Sequence, residues 1–241
     1  MRKVMIGTPC HSANVHCRWA NSMSATVRLG LKLGFDVYPL FIPGNAMIHS
    51  ARNEIIQQFL KTDFTDLVFI DADISWVPED FFKLLNHDVS VVGATYPYKQ
   101  NDLRFVMKTG DGKAPEFQPN GLMKVQGLGM GFFRLTREAV QHLWDSSMPY
   151  SRYGTDVEFR AVFEFPIVNG EETGEDIAMC LKLDEVWLDP TICLEHSGDR
   201  QHFGNPVQWL DMVRAEVARR DALTDEERAV EDAEGPRVVM R

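Results

Sequence analysis

Two aspartates one residue apart close an apolar, strand-like run in Asp66-Leu67-Val68-Phe69-Ile70-Asp71-Ala72-Asp73-Ile74-Ser75. Open α/β sheets place ligand chemistry beyond the carboxyl ends of their strands, which is where Asp71 and Asp73 fall. Carboxylates at this spacing suit a hard divalent cation that also holds phosphate oxygens, because Mg²⁺ and Mn²⁺ prefer oxygen ligands and take one or two of them from protein. The same residues equally suit a polar turn after a core strand, since Asp is a favoured turn residue.

Three other positions carry side chains able to join such chemistry. His196 ends the strand-like Ile192-Cys193-Leu194-Glu195-His196, where an imidazole could meet an acidic pair from another strand as a further metal ligand. Arg52 and Asn53 stand in the first turn of a helix that Ser50 can cap; a cation at the positive end of a helix is unfavourable on its own, so Arg52 is expected to face a phosphate or a site carboxylate. Asp176 lies three residues after Thr173, the spacing of a capping box, so a structural role competes there with a chemical one. Cys10, His11, His16 and Cys17 crowd four potential zinc ligands into eight residues without the two-plus-two spacing of a structural site, and reduced thiols are the expectation.

The elements that must position these groups alternate. Lys3 to Thr8, Val37 to Ile42, Leu67 to Ile70 and Asp88 to Ala94 read as strands. Between them lie helices with apolar faces: Trp19, Met23, Val27 and Leu31 ended by Gly34; Ile55, Ile56, Phe59 and Leu60; and Phe81, Phe82, Leu84 and Leu85 behind Pro78. This βαβαβαβ order predicts a mostly parallel sheet with helices on both faces. After Lys99 the rhythm changes to short strands at Leu103 to Lys108, Phe117 and Leu122 to Val125. They are joined by Gly110-Asp111-Gly112 and Pro119-Asn120-Gly121, which predicts an antiparallel extension.

Gly127-Leu128-Gly129-Met130-Gly131 follows. Its alternate glycines allow close approach of a ligand or a strand bulge, and form neither a dinucleotide fingerprint nor a Walker loop. Thr136 can cap a helix bearing Val140, Leu143 and Trp144; Phe163, Phe165 and Ile167 alternate like a strand within an uncertain 145–172 segment; and Pro206 to Arg220 predicts an amphipathic helix.

Composition sets the outer bounds. At 241 residues, 44% hydrophobic and 25% charged, the chain fits one large domain or one domain with small additions. The net charge is −10, of which the 221–241 tail carries −4 from seven acids and three arginines. That balance gives no electrostatic footprint for tight nucleic-acid binding, although a local basic groove stays open. No apolar run approaches the roughly 20 residues that cross a bilayer. The opening Met1-Arg2-Lys3-Val4-Met5-Ile6-Gly7 turns polar too soon for a signal peptide, so a soluble, cytoplasmic protein is expected.

In order and spacing these pieces resemble the GT-A glycosyltransferase fold, and most of all the family 2-like enzymes of bacterial and phage genomes. The resemblance runs over roughly residues 3 to 200 and rests on the strand into Asp71-Ala72-Asp73, the helix start Ala51-Arg52-Asn53, Gly127 to Arg134, Gly174-Glu175-Asp176, and Leu194-Glu195-His196-Ser197-Gly198. It implies a catalytic domain over 1–205, with a nucleotide-sugar half (1–99) and an acceptor half (100–205), followed by a C-terminal helix and acidic tail (206–241). It also implies a UDP- or GDP-sugar donor on Mn²⁺ or Mg²⁺.

By the same resemblance Asp73 ligates the metal, Asp71 contacts ribose or metal, and Ala72 lies between them in the donor site. His196 completes the metal ligands, Arg52 faces the donor, and the Thr8-Pro9 backbone meets the nucleotide base. Asp176 is the expected base of an inverting transfer, with a retaining reaction left open by its competing role as a cap. The acceptor is open among saccharide, lipid-linked glycan, protein and modified DNA.

Three rivals share parts of the pattern. A haloacid-dehalogenase-like phosphatase would use Asp71 as nucleophile, but its motif normally opens the chain, whereas two strand-helix units precede it here. A sugar-nucleotide pyrophosphorylase would need a Gly- and Arg-rich loop where Gly7-Thr8-Pro9-Cys10-His11-Ser12 stands. A non-catalytic nucleotide-sugar-binding module could keep the fold without the chemistry.

Overall fold

A computed structural model describes residues 1–100, 102–110, 116–168, 170–198, 201–224 and 227–228. The first half runs β1 (Arg2–Cys10), α1 (Cys17–Leu33), β2 (Phe35–Pro43), α2 (Ile48–Leu60), β3 (Asp66–Ile70), β4 (Ile74–Ser75), α3 (Pro78–Asn86) and β5 (Val91–Gly93). The second half runs β6 (Met107–Lys108), β7 (Met123–Val125), β8 (Gly127–Leu128), β9 (Phe132–Thr136), α4 (Arg137–Ser146), β10 (Pro149–Ser151), β11 (Glu158–Arg160), β12 (Ile167–Val168) and β13 (Glu171–Glu172). It ends with α5 (Glu175–Cys180), β14 (Val186–Leu188), β15 (Glu195–Ser197), β16 (Gln201–Phe203) and α6 (Pro206–Asp221).

Seven strands form the central sheet in the order β2-β1-β3-β9-β5-β14-β7. Five point one way; β9 runs against both of its neighbours and β7 against β14. Small antiparallel sheets, β6-β8, β10-β11, β12-β13 and β16-β15-β4, surround it. This mixed, mostly parallel α/β architecture with a smaller antiparallel extension is the fold class implied by the sequence and its GT-A resemblance.

Alternation along the strands feeds two cores. Met5, Leu67 and Phe69 pack toward Ile55, Ile56 and Phe59 of α2, whereas Val4, Ile6, Val68 and Ile70 pack toward Trp19, Met23, Phe81 and Phe82. Every residue of β3 is therefore buried, as expected of a central strand covered on both faces. Each large side chain buried in this way stabilises the fold by roughly 1.5–3 kcal/mol, which fixes where β3 ends and hence where Asp71 begins.

Several local expectations are corrected. Leu31 is exposed, and the buried face of α1 runs Trp19, Met23, Thr26, Gly30. A strict i+4 series drifts about 40° per step on a helix of 3.6 residues per turn, so its fourth member leaves the core while a mixed 3–4 spacing stays inward. Gly34 does close this helix, in the left-handed conformation at φ 81°.

Ser50 does not cap α2. The helix begins at Ile48, because the Asn45 side chain accepts from the Met47 N–H and turns the chain earlier; Arg52 thus lies in the second turn. No strand spans Phe163 to Ile167: Phe163 is buried, Phe165 and Ile167 are exposed, and only Ile167–Val168 pairs, with β13. The strand expected from Ile192 begins only at Glu195.

The extension after Lys99 is partly recast. Met123–Val125 joins the main sheet, while Met107–Lys108 pairs with Gly127–Leu128. Asp111 and Gly112 of the first expected turn, and most of the acidic tail, lie outside the described residues. The C-terminal helix α6 packs Trp209, Leu210 and Val213 into the core, with the Trp209 ring 5.4 Å from that of Phe105. No helix of the described residues is long and apolar enough to cross a membrane.

Candidate functional site

The chain leaves β3 in a tight turn in which the Ile74 N–H donates to the Asp71 carbonyl at 3.1 Å. Three different elements hold its backbone. The Asp71 N–H reaches Gly131 O before β9, the His16 N–H at the start of α1 reaches Ala72 O at 2.8 Å, and the Ser197 N–H of β15 reaches Asp73 O at 2.8 Å. The turn is thus a fixed platform, with Asp71 and Asp73 directed from a rigid backbone.

Arg52 meets Asp71 from α2. Its Nη2 donates to Asp71 Oδ1 at 2.9 Å, and its Nη1 donates to Glu175 Oε1 at the head of α5. The guanidinium is 3% exposed, and although burial works against its charge, the two carboxylates raise its pKa. One buried cation therefore ties the Asp-Ala-Asp turn to the Gly174-Glu175-Asp176 segment. Asn53, next along α2, donates to Phe163 O and accepts from the Phe163 N–H at 2.8 Å, tying α2 to the segment after β11.

Asp73 faces the other way, toward β15. Because β15 pairs with β4, His196 lies opposite Ile74, and its Nε2 comes within 3.6 Å of Asp73 Oδ2. The same oxygen accepts from Lys99 Nζ. Burial pushes the Asp73 carboxyl up, but His196 and Lys99 outweigh it and bring the pKa down to about 2. On its far side the ring places Nδ1 2.8 Å from Pro97 O, an arrangement in which Nδ1–H donates to the carbonyl and leaves Nε2 as the nitrogen that faces Asp73. Tyr96 supports the ring edge-on at 5.1 Å, and Arg18 and Ser75 anchor the adjacent Glu195 at 2.6 and 3.3 Å.

Asp176 is placed differently from the expectation of a capping box. Gly174 occupies the N-cap of α5 with no side-chain cap, and Asp176 Oδ1 instead accepts from the Ile177 N–H at 2.7 Å. No described residue bonds Oδ2. Burial, then the neighbouring Glu175 charge, raises the Asp176 pKa above the ordinary carboxylate value. Its charge also contributes, after burial, to raising the pKa of Tyr96 and Tyr98.

Thr8 and Pro9 precede Cys10, the last residue of β1, and the register that sets Gly7 opposite Phe69 brings them level with the end of β3. The Thr8 hydroxyl is fully buried and has no hydrogen-bond partner among the described residues. The alternate glycines answer to packing within the chain. A Cβ at Gly129 or Gly131 would collide with the Tyr96 ring, and one at Gly127 would lie 2.7 Å from Ile177. Gly131 N–H also donates to Tyr96 Oη at 3.2 Å. Four of the 10–17 positions weighed for zinc do not form a site: Cys10 is buried, and the His16 side chain instead caps α1 by accepting from Arg18 N.

Sequence reasoning missed Glu175, Tyr96, Pro97 and Lys99. Only Glu175 left a trace: a buried arginine needs more than one counter-charge, and Glu175 lies within the same short motif as Asp176.

Two side chains here are of a type that could hold a divalent cation. Asp73 and His196 converge, with Pro97 O holding the ring through Nδ1, while Asp71 is engaged by Arg52. Among the described residues no group of three His, Cys, Asp or Glu side chains is arranged to hold a metal ion. Two protein ligands fit Mg²⁺ or Mn²⁺, which usually complete their shells with water and substrate phosphate.

No protein-family model matches the sequence, and no curated protein matches it. Among solved structures, A197 from STIV is 17% identical, with the match covering 85% of this chain and 95% of that one at a TM-score of 0.54, which establishes a shared fold. A glycosyltransferase involved in the glycosylation of the major capsid of PBCV-1 is 10% identical over 58% of this chain and 63% of that one. Its TM-score is 0.35, a level at which the likeness bears on neither fold nor function.

Proposed function

We propose that this protein is a glycosyltransferase that moves a sugar from a UDP- or GDP-sugar to an acceptor hydroxyl. The observation that carries the reading is the meeting of Asp73 with His196 at 3.6 Å on a platform that Arg52 joins to the segment bearing Asp176. Asp73 and His196 would hold Mn²⁺ or Mg²⁺, whose chemistry is to offset the negative charge that gathers on a departing diphosphate.

The protein's own groups divide the remaining work. Arg52 orients Asp71 through Oδ1, leaving Asp71 Oδ2 for the ribose or the cation. Thr8 and Pro9 offer the end of β1 to the nucleotide base. Asp176, with Oδ1 engaged by Ile177 N–H, uses Oδ2 to take the acceptor proton as the acceptor oxygen attacks the anomeric carbon and the bond to the diphosphate breaks, which inverts the centre. A carboxylate with a raised pKa suits that role, because a stronger base draws the proton more readily.

A thermal-shift panel of nucleotide sugars, with and without Mn²⁺, tests the reading. Stabilisation by one donor class only in the presence of metal is expected. Indifference to every UDP- and GDP-sugar contradicts it.

A further inference from the structure

Both carboxylates of the acidic turn already carry a cationic side chain, and the two cations differ in kind. Arg52 is buried, bound to two carboxylates and packed over the Phe163 ring at 5.8 Å, so it is part of the framework. Lys99 is about one-third exposed, and its one hydrogen bond among the described residues is to Asp73 Oδ2. That oxygen is also the one His196 Nε2 faces. A cation bridging Asp73 and His196 would need the volume in which the Lys99 ammonium sits.

The backbone around Lys99 lets the side chain leave without disturbing the site. Lys99 lies at the tip of a hairpin closed by the Pro97–Phe105 bridge and by Tyr98 N–H on Arg104 O at 2.9 Å. The base of this hairpin is pinned, Pro97 O to His196 and Tyr96 Oη to Gly131. A flexible four-carbon stem on a fixed base can therefore swing its ammonium a few ångströms while His196 keeps its orientation.

We infer that Lys99 is a phosphate-contacting residue that rests on Asp73 until a divalent cation takes the carboxylate, and then moves to the diphosphate of the donor. This rests on the proposed glycosyltransferase reading and adds a residue to it. Two positive charges cannot share Asp73 Oδ2 at contact distance, so cation entry expels the ammonium, and a diphosphate on that cation is the nearest unpaired negative charge.

Mn²⁺ titrated into the full chain without nucleotide, followed by electron paramagnetic resonance of the free ion, tests the exchange. Lys99→Met is expected to bind Mn²⁺ about fivefold more tightly than the parent, the size of a partly exposed ion pair removed from competition. With Mn²⁺ saturating, the same variant is expected to bind UDP or GDP, measured by calorimetry, about tenfold more weakly. Lys99→Arg should keep most of the nucleotide affinity. Mn²⁺ affinity that is equal in Lys99→Met and parent, or absent from both, overturns the exchange. Tighter Mn²⁺ binding by Lys99→Met with no UDP or GDP affinity in either protein supports the competition at Asp73 while overturning both the phosphate contact and the donor reading. A cooperative thermal melt of Lys99→Met within a few degrees of the parent's is the expected control, since a partly exposed ion pair is worth at most about 1 kcal/mol.

Discussion

Arg52 donates to Asp71 at 2.9 Å from a guanidinium that is 3% exposed, so the first aspartate of the Asp-Ala-Asp turn is an ion-pair partner before it is anything else. Glu175 completes the arrangement from the other half of the chain. Breaking such a buried group leaves its partners charged and unpaired, which is worse than removing all of them together. Arg52→Met is expected to lower the stability by about 3 kcal/mol, read from urea denaturation. A loss below about 1 kcal/mol would show that the two carboxylates find water instead.

Asp66 opens β3 with its side chain 2% exposed, gripped by Arg2 through Nε at 2.7 Å and Nη2 at 2.6 Å, and by Arg134 Nε at 2.8 Å. Burial raises its pKa, but these partners and Thr65 outweigh it and hold it below the usual carboxylate value. A folded pKa below the unfolded one means that the pairing stabilises fully above the unfolded value, about 3.9, and that this stabilisation is lost as pH falls through the folded pKa. Asp66→Asn is therefore expected to be markedly less stable than the parent at pH 7, with the gap closing below about pH 4. Urea midpoints at pH 7 and pH 3 check this, and a gap that stays constant contradicts it.

Asp176→Asn keeps a side-chain oxygen for the Ile177 N–H, so the fold should hold. If Asp176 takes the acceptor proton, kcat should fall by about 10²- to 10⁴-fold with donor affinity unchanged. The parent should lose activity as pH drops through the Asp176 pKa, and that loss should begin above the pH range typical of a free carboxylate, because burial and Glu175 raise the pKa. Initial rates across pH decide it: an unchanged kcat in Asp176→Asn removes the assignment.

Gly131→Ala tests how His196 is held. A Cβ there meets the Tyr96 ring, whose edge-on contact supports His196 at 5.1 Å. Overpacking at a filled site typically costs about 1–3 kcal/mol. The variant is expected to lose stability in that range and to show a shifted His196 imidazole resonance by NMR. An unshifted resonance means that Pro97 O alone sets the ring.

How much of this was legible in the sequence depends on the range over which each feature is decided. The β3 run, its termination at Asp71 and the parallel order of the first half follow from local apolar patterns, and they appear where expected. A cation near a helix start needs a counter-charge, and Arg52 has two. Its position differs from the expected one, since α2 begins at Ile48 and Arg52 lies a turn deeper.

What stayed illegible is set by contacts between distant segments. Nothing local marks Lys99, 26 residues from Asp73, as its ion-pair partner, or Pro97 as the acceptor for an imidazole 99 residues later. The alternate glycines of 127–131 carry the signature of a close approach without naming what approaches, and the answer is Tyr96 and Ile177. The Thr173–Asp176 capping box has the right spacing, yet Gly174 takes the cap with no side-chain bond and Asp176 turns to the Ile177 N–H.

Whether Asp73 and His196 share one divalent cation is tested most directly by UDP and GDP affinity, measured calorimetrically with and without Mn²⁺, in the parent, Asp73→Asn and His196→Gln. Nucleotide binding that requires Mn²⁺ in the parent and falls at least tenfold in both variants is the expected result. Binding that ignores Mn²⁺, or that survives unchanged when either side chain is replaced, contradicts the shared cation and with it the proposed donor site.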